Sequence, residues 1–181
     1  MVSFRSVFLL SAVFAAASPV NNSNLADACY EDISQIDTGI RGLTELVRPY
    51  QGGLLSLLPL APDAFGAGLG VANGVLHSSQ LPNPLSLDDL LHLTQHVNRT
   101  LAVDNPIFFK LLVDKKDQFV QSGLQLPVQL ILKIILALHL SFSDNVLNRA
   151  PLETPAAALS TAWADINLIT NAIQVSINAY S

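Results

Sequence analysis

The chain has 181 residues, 50% of them hydrophobic and 13% charged, with a formal net charge of −5 at pH 7. So much apolar material excludes a disordered chain, and the acidic balance argues against nucleic acid, which selects a basic patch. One cysteine, Cys29, excludes an internal disulfide framework; it reads as a helix-facing thiol or an intermolecular bridge.

Phe4-Arg5, the apolar run Val7–Phe14 and the small residues Ala15-Ala16-Ala17 form a signal peptide over 1–17, leaving one domain over 18–181. Secretion is therefore expected. Removing Arg5 takes one of 9 basic residues and none of the 14 acidic ones, so the mature chain is more acidic still. Asn21-Asn22-Ser23 and Asn98-Arg99-Thr100 are N-glycosylation sequons, making Asn21 and Asn98 the candidate acceptors. The chain ends in polar residues, so no lipid-anchor signal is expected.

From Asp27 to Tyr50, Ile33, Ile36, Ile40, Leu43, Val47 and Tyr50 recur every three or four residues, which predicts an amphipathic helix stopped by Gly52-Gly53. Leu54–Leu60 is an apolar run punctuated by Pro59 and Pro62. A second helix runs from Pro62 to Leu76; its Gly66, Ala67, Gly68 and Gly70 permit close helix contact but weaken the helix, suggesting a mobile gate. Pro82-Asn83-Pro84 is a rigid connector. Ser86, with Asp89 three residues on, resembles a capping box for a helix with Leu90, Leu93, Val97 and Leu101 inward and Asp88, His92, His96 and Arg99 wet. Asn105-Pro106 reads as the start of the next helix, which stops at Gly123.

Leu126–Phe142 follows, a helix with Pro127 in its first turn that runs on to about Asn148. Its narrow polar or small stripe is Gln129, Lys133, Ala137, Ser141 and Asp144, and the rest of its circumference is apolar. Such a helix needs neighbours on several sides, which predicts a central or cavity-lining element. A membrane span would place Lys133 mid-bilayer at about 2.5–3.5 kcal/mol, so no transmembrane segment is expected. Thr154-Pro155 opens a last helix to Ala179. No run alternates as a strand does. The fold class is all-α: a single bundle of five to six amphipathic helices around an apolar central helix, with room for an internal lipid cavity.

Catalytic chemistry is not encoded in any recognisable pattern. His92 and His96 lie four apart but read H-L-T-Q-H, without the glutamate of a zinc protease helix, so no metal is expected. His139 reads as a core histidine. A G-x-S-x-G elbow is absent, and Gly66, Gly68 and Gly70 are not set between strand and helix as a dinucleotide site requires. No enzyme and no cofactor are expected.

Asp32, Ile33, Ile36 and Asp37, followed by Tyr50, Gly52 and Gly53, match the opening Asp-Ile-x-x-Ile-Asp helix and Tyr-x-Gly-Gly stop of a known family. Lys115, Lys116, Phe119, Gly123 and Leu124, then a terminal Ala-Tyr-Ser, agree in order. The sequence thus resembles the fungal hydrophobic surface-binding protein A family, also called the cell wall galactomannoprotein or antigenic mannoprotein family. It departs in its Gly-rich segment from Phe65 to Gly74 and in the more apolar Leu130–Leu140. The resemblance implies a secreted, non-enzymatic fungal protein that binds hydrophobic surfaces or a fatty acid or other lipid, in some members as a cell wall mannoprotein or as a recruiter of a secreted hydrolase.

The helix faces independently supply a route to lipid binding. A helix of about 20 residues is ~30 Å long, enough for an extended acyl chain. Burying roughly 15 methylenes contributes on the order of 12 kcal/mol before association costs. From these faces the expected lining residues are Phe65, Leu69, Leu90, Val97, Phe119, Ile131, Leu138, Ile166 and Ile173.

Overall fold

A computed structural model describes residues 25–181. The signal peptide and Asn21 lie outside the described residues. Seven α-helices are present: α1 (Leu25–Val47), α2 (Ala61–Ser79), α3 (Leu87–Arg99), α4 (Leu101–Asp114), the short α5 (Lys116–Gln121), α6 (Gln125–Leu147) and α7 (Ala156–Ala179), with no strand among the described residues.

The apolar spacing of α1 dictates its burial: Ile33, Ile36, Ile40 and Val47 are core residues, while Glu31, Gln35, Thr38, Arg41 and Glu45 face water. Gly52 and Gly53 take φ of +111° and +91°, which end the helix region and turn the chain. Leu54–Leu60 forms a 3-10 turn leading directly into α2. α1 and α2 then run antiparallel at unusually close range. A Cβ at Gly39 would lie 2.7 Å from Ala67 Cβ and 2.8 Å from the Asp63 carbonyl, and one at Gly70 would lie 2.9 Å from Ile36 Cγ1. Small residues therefore bring the backbones together, as expected for Ala67 and Gly70. Gly66 and Gly68 meet nothing within 4 Å, so they weaken α2 without that return.

The α3 cap is as the sequence predicts: Ser86 Oγ accepts from the Asp89 amide at 3.1 Å and donates to the Asp89 carboxylate at 2.6 Å. α4 corrects the expected Asn105-Pro106 start. It begins one turn earlier because Thr100 ends α3 and opens α4 at once, and burial of Leu101 and Ala102 holds that turn despite Pro106 inside the helix. α7 begins where Thr154-Pro155 predicts, with Pro155 rather than Thr154 at the cap position.

The core is drawn mainly from α1, α4, α7 and one side of α6, with Leu90 and Leu93 of α3. Of the two places expected for the apolar helix, central or cavity-lining, α6 takes the second. It spans the expected residues, packs on α2 and α7 rather than at the centre, puts His139, Phe142, Ser143, Val146 and Leu147 on a cavity wall, and buries Leu132, Phe142, Val146 and Leu147. Leu126 and Leu130 are 72% and 61% exposed, and Ile131, Ile134 and Leu140 are also exposed. The centre is already filled, because Ile173 and Ser176 of α7 and Tyr180 just past its end are fully buried, the last two bonded to carbonyls of α4. By length and composition α6 alone among the described helices could cross a bilayer. Several of its polar side chains instead bond to neighbouring protein: Gln129 Nε2 donates to Ser181 Oγ, just past α7, at 2.9 Å, His139 Nε2 lies 3.4 Å from the Ile166 carbonyl, and Asn145 Nδ2 donates to Ser78 Oγ of α2 at 3.2 Å.

Candidate functional site

Between α1, α3, α6 and α7 the bundle leaves an apolar cavity of about 60 Å³. Amphipathic spacing puts Leu93 and Val97 of α3 on its wall, one turn apart, opposite Ile166 and Ile169 of α7; Ile33 of α1 and Phe142 of α6 close it. Four polar residues interrupt this lining: Thr94, His139, Ser143 and Asp165. Asp165 is buried, and the Asn98 amide donates to both its oxygens, at 3.1 and 2.9 Å. The Thr94 hydroxyl is engaged with the carbonyls of Leu90 and Leu91. Burial holds the His139 imidazole below its ordinary pKa, against a smaller opposing effect of the Ile166 carbonyl. Read from the sequence as a core histidine, His139 is instead half-buried on the cavity wall, outside the packed core.

Of the nine expected lining residues, the structure brings Val97 and Ile166 together at the cavity. Leu90, Phe119 and Ile173 are instead closed into the packed core, at 1%, 4% and 0% exposure. Phe65 and Ile131 lie on the outside, while Leu69 and Leu138 are half-buried away from the cavity wall. The expectation failed there because one helical stripe reaches both packed and unpacked neighbours. Sequence reasoning missed Leu93, Thr94, Phe142, Ser143, Asp165 and Ile169; Leu93 was identified as inward-facing, and Asp165 sits in the middle of an apolar stripe, a visible signal.

The landmark residues of the resemblance prove structural. Tyr50 OH pairs with Ser122 Oγ at 2.8 Å, the Gly53 amide donates to the same oxygen at 2.9 Å, and Lys115 Nζ donates to the Tyr50 carbonyl at 2.9 Å. Phe119 packs between Tyr50 and Tyr180, whose OH donates to the Leu112 carbonyl at 2.8 Å. They clamp the α1 turn, α5 and the C-terminus into one end of the bundle. At the opposite face of α1, Asp32 pairs with His77 Nδ1 at 2.7 Å, and burial raises the Asp32 pKa against the effect of His77.

Of the expected wet pair, His92 is exposed and His96 is not fully so. Both stack on Tyr30, with ring centroids 4.4 and 3.7 Å away, and His96 Nε2 meets Ser34 Oγ at 2.8 Å. His96 is half-buried because α3 leans on α1 there; burial, then the neighbouring His92, lowers its pKa. Among the described residues no group of three or more metal-ligating side chains occurs. A second, open groove of about 330 Å³ between α1 and α2 is walled by Ser34, Gln35, Thr38 and Asp63, and gathers no reactive group.

The family model for hydrophobic surface binding protein A matches residues 26–148. The chain belongs to this family. No curated protein matches it in sequence. Three solved structures share the fold of this hydrophobic surface binding protein A member. The crystal structure of Afmp4p in complex with palmitic acid superposes with a TM-score of 0.75 at 21% identity, covering 86% of this chain and 99% of that one. Ligand binding domain 1 of the Penicillium marneffei MP1 protein, complexed with arachidonic acids, gives 0.72 at 20% identity over 87% and 97%. Domain 2 of that protein, complexed with multiple arachidonic acids, gives 0.71 at 22% identity over 86% and 95%.

Proposed function

We propose that this chain is a secreted, non-enzymatic carrier of single-chain lipids such as fatty acids, held between α6 and the helices it covers. The observation that carries this reading is the mismatch between α6 and its surroundings. The helix is apolar on both sides, yet the closed bundle buries one side, and the cavity beneath it is about 60 Å³. An apolar cavity of roughly 150 Å³ holds a single benzene, and this one is less than half that volume, so an acyl chain enters only if helices separate. Outward movement of α6 would convert its inner face, with Phe142 and Val146, into the wall of a longer channel. The on-the-order-of 12 kcal/mol available from burying about 15 methylenes is large enough to drive such a separation. The fatty acids in the structural neighbours support this reading. Val97 and Ile166 are the residues from the expected lining that such a channel would use first.

The test is saturable binding. Delipidated protein titrated with a fluorescent fatty acid should bind at defined stoichiometry, and native mass spectrometry of the secreted protein should show a mass excess that vanishes on denaturation. Absence of saturable binding sinks the proposal.

A second reading, adsorption to a hydrophobic surface, is favoured by Leu55 and Leu58, 81% and 67% exposed on one side of the 3-10 turn, where residues three apart align. If adsorption proceeds by opening of the bundle, near-UV circular dichroism is lost while far-UV helix signal is kept; an unchanged near-UV spectrum counts against it. A cell wall site or a secreted hydrolase would be the partner in that setting.

A further inference from the structure

The cavity carries polar groups that favour one kind of lipid head over another. No Lys or Arg stands among its lining residues. Asp165, held by the Asn98 amide at both oxygens, presents acceptors only. Thr94 commits its hydroxyl proton to the backbone carbonyls of its own helix, which leaves its oxygen as an acceptor. The imidazole of His139 turns Nε2 toward the Ile166 carbonyl, so a neutral ring donates there and keeps an acceptor at Nδ1. Three of the four polar groups in the cavity therefore accept hydrogen bonds, and one of them is a carboxylate.

An ionised fatty-acid head consists of acceptors alone and carries the same charge as Asp165. Placed here it would lose its hydration and gain neither a cation nor enough donors. A hydroxyl head offers the donor that Asp165, His139 and Thr94 lack. Resting on the carrier reading above, we propose that the cavity between α3, α6 and α7 is the head pocket of the site, and that it selects a single-chain lipid with an uncharged hydroxyl head over the ionised acid of the same length. The pocket volume of about 60 Å³ suits a head and its first methylene, with the remaining chain running along α6.

The experiment equilibrates delipidated protein at pH 8 with radiolabelled 1-dodecanol or laurate, which share chain length and differ in the head. At that pH laurate is ionised. Dodecanol is expected to bind at least tenfold more tightly, and Asp165→Asn to lower that ratio severalfold. Should Asp165→Asn fail to fold, His139→Phe removes the imidazole acceptor at similar size and is expected to narrow the same ratio. Laurate binding as tightly as dodecanol overturns the inference and leaves the carrier reading standing. A large ratio untouched by either variant overturns the assignment of this pocket to the head. If neither lipid binds, the carrier reading falls and this inference with it.

Discussion

Replacing glycines one at a time along the α1–α2 contact should give effects of opposite sign from identical chemistry. In a helix interior Ala is favoured over Gly by about 1 kcal/mol. At Gly66 and Gly68 the new methyl meets nothing within 4 Å, so Gly66→Ala and Gly68→Ala should each stabilise by about 0.5–1 kcal/mol. At Gly39 the methyl would sit 2.8 Å from the Asp63 carbonyl and 2.9 Å from the Ala67 amide nitrogen. Those are backbone atoms, which cannot swing aside, so the helices must part. Overpacking of this kind costs about 1–3 kcal/mol; after the helix gain of about 1 kcal/mol, Gly39→Ala should lose up to about 2 kcal/mol. Gly70→Ala, against Ile36 and the Asp32 carbonyl, should behave similarly. At Gly42 the obstacle is the Asp63 carboxylate, a movable group, so the loss there should be smaller. Gly74, with the Phe142 ring at 3.4 Å, should be close to neutral. Urea denaturation gives each difference, and thermal melts should move by about 2–4 °C per kcal/mol for a chain of this size. If Gly39→Ala stabilises as much as Gly66→Ala, the close backbone approach of α1 and α2 is wrong.

Three further outcomes are expected. Burial and then the facing Asp104, opposed by Arg41, push Asp37 up to about 6, and its buried Oδ1 has no hydrogen-bond partner. A raised carboxyl contributes stability that is full below its unfolded pKa of about 4 and is lost as pH rises through about 6. His96 and His139, both lowered, act in the opposite direction over this window, so the comparison is with Asp37→Asn: the variant should lose that component, and an identical pH profile by urea titration would contradict it. His77→Ala leaves the buried Asp32 without its partner and should destabilise by about 3 kcal/mol, measured the same way; a change under 1 kcal/mol would show that the pair contributes little. Cys29 is fully buried, its thiol pushed up to about 12 by burial and then by Asp32. It should resist a thiol reagent in native buffer and react only as the protein unfolds; rapid native labelling would contradict its placement.

Much of the fold was legible because apolar spacing and caps agree locally. Ile33, Ile36, Ile40 and Val47 set the buried face of α1, and Ser86 with Asp89 set the start of α3. That α6 lines a cavity was legible, but that its other side is left uncovered was not, because Leu126, Leu130 and Ile134 have the chemistry of core residues whether or not anything covers them. A hydrophobic pattern records that a side chain prefers to leave water, and says nothing of whether protein or lipid receives it. The same ambiguity divided the site. Val97 and Ile166 reach the cavity, whereas Ile173 fits against α4 and Phe119 stands between two tyrosines. Pairings across long separations, such as Asn98 with Asp165 or Tyr30 with the α3 histidines, leave no mark on local spacing.

The most direct test of lipid carriage is photolabelling of the delipidated protein with a single-chain lipid bearing a diazirine in its chain, with the modified residues located by mass spectrometry. Saturable labelling is expected on the inner walls, at Leu93–Val97 of α3, Ile166–Ile169 of α7 and around Phe142 of α6. Labelling confined to Leu126, Leu130 and Ile134 on the outer face of α6, or to Leu55 and Leu58, would mean that the lipid stays outside the bundle, and would contradict it.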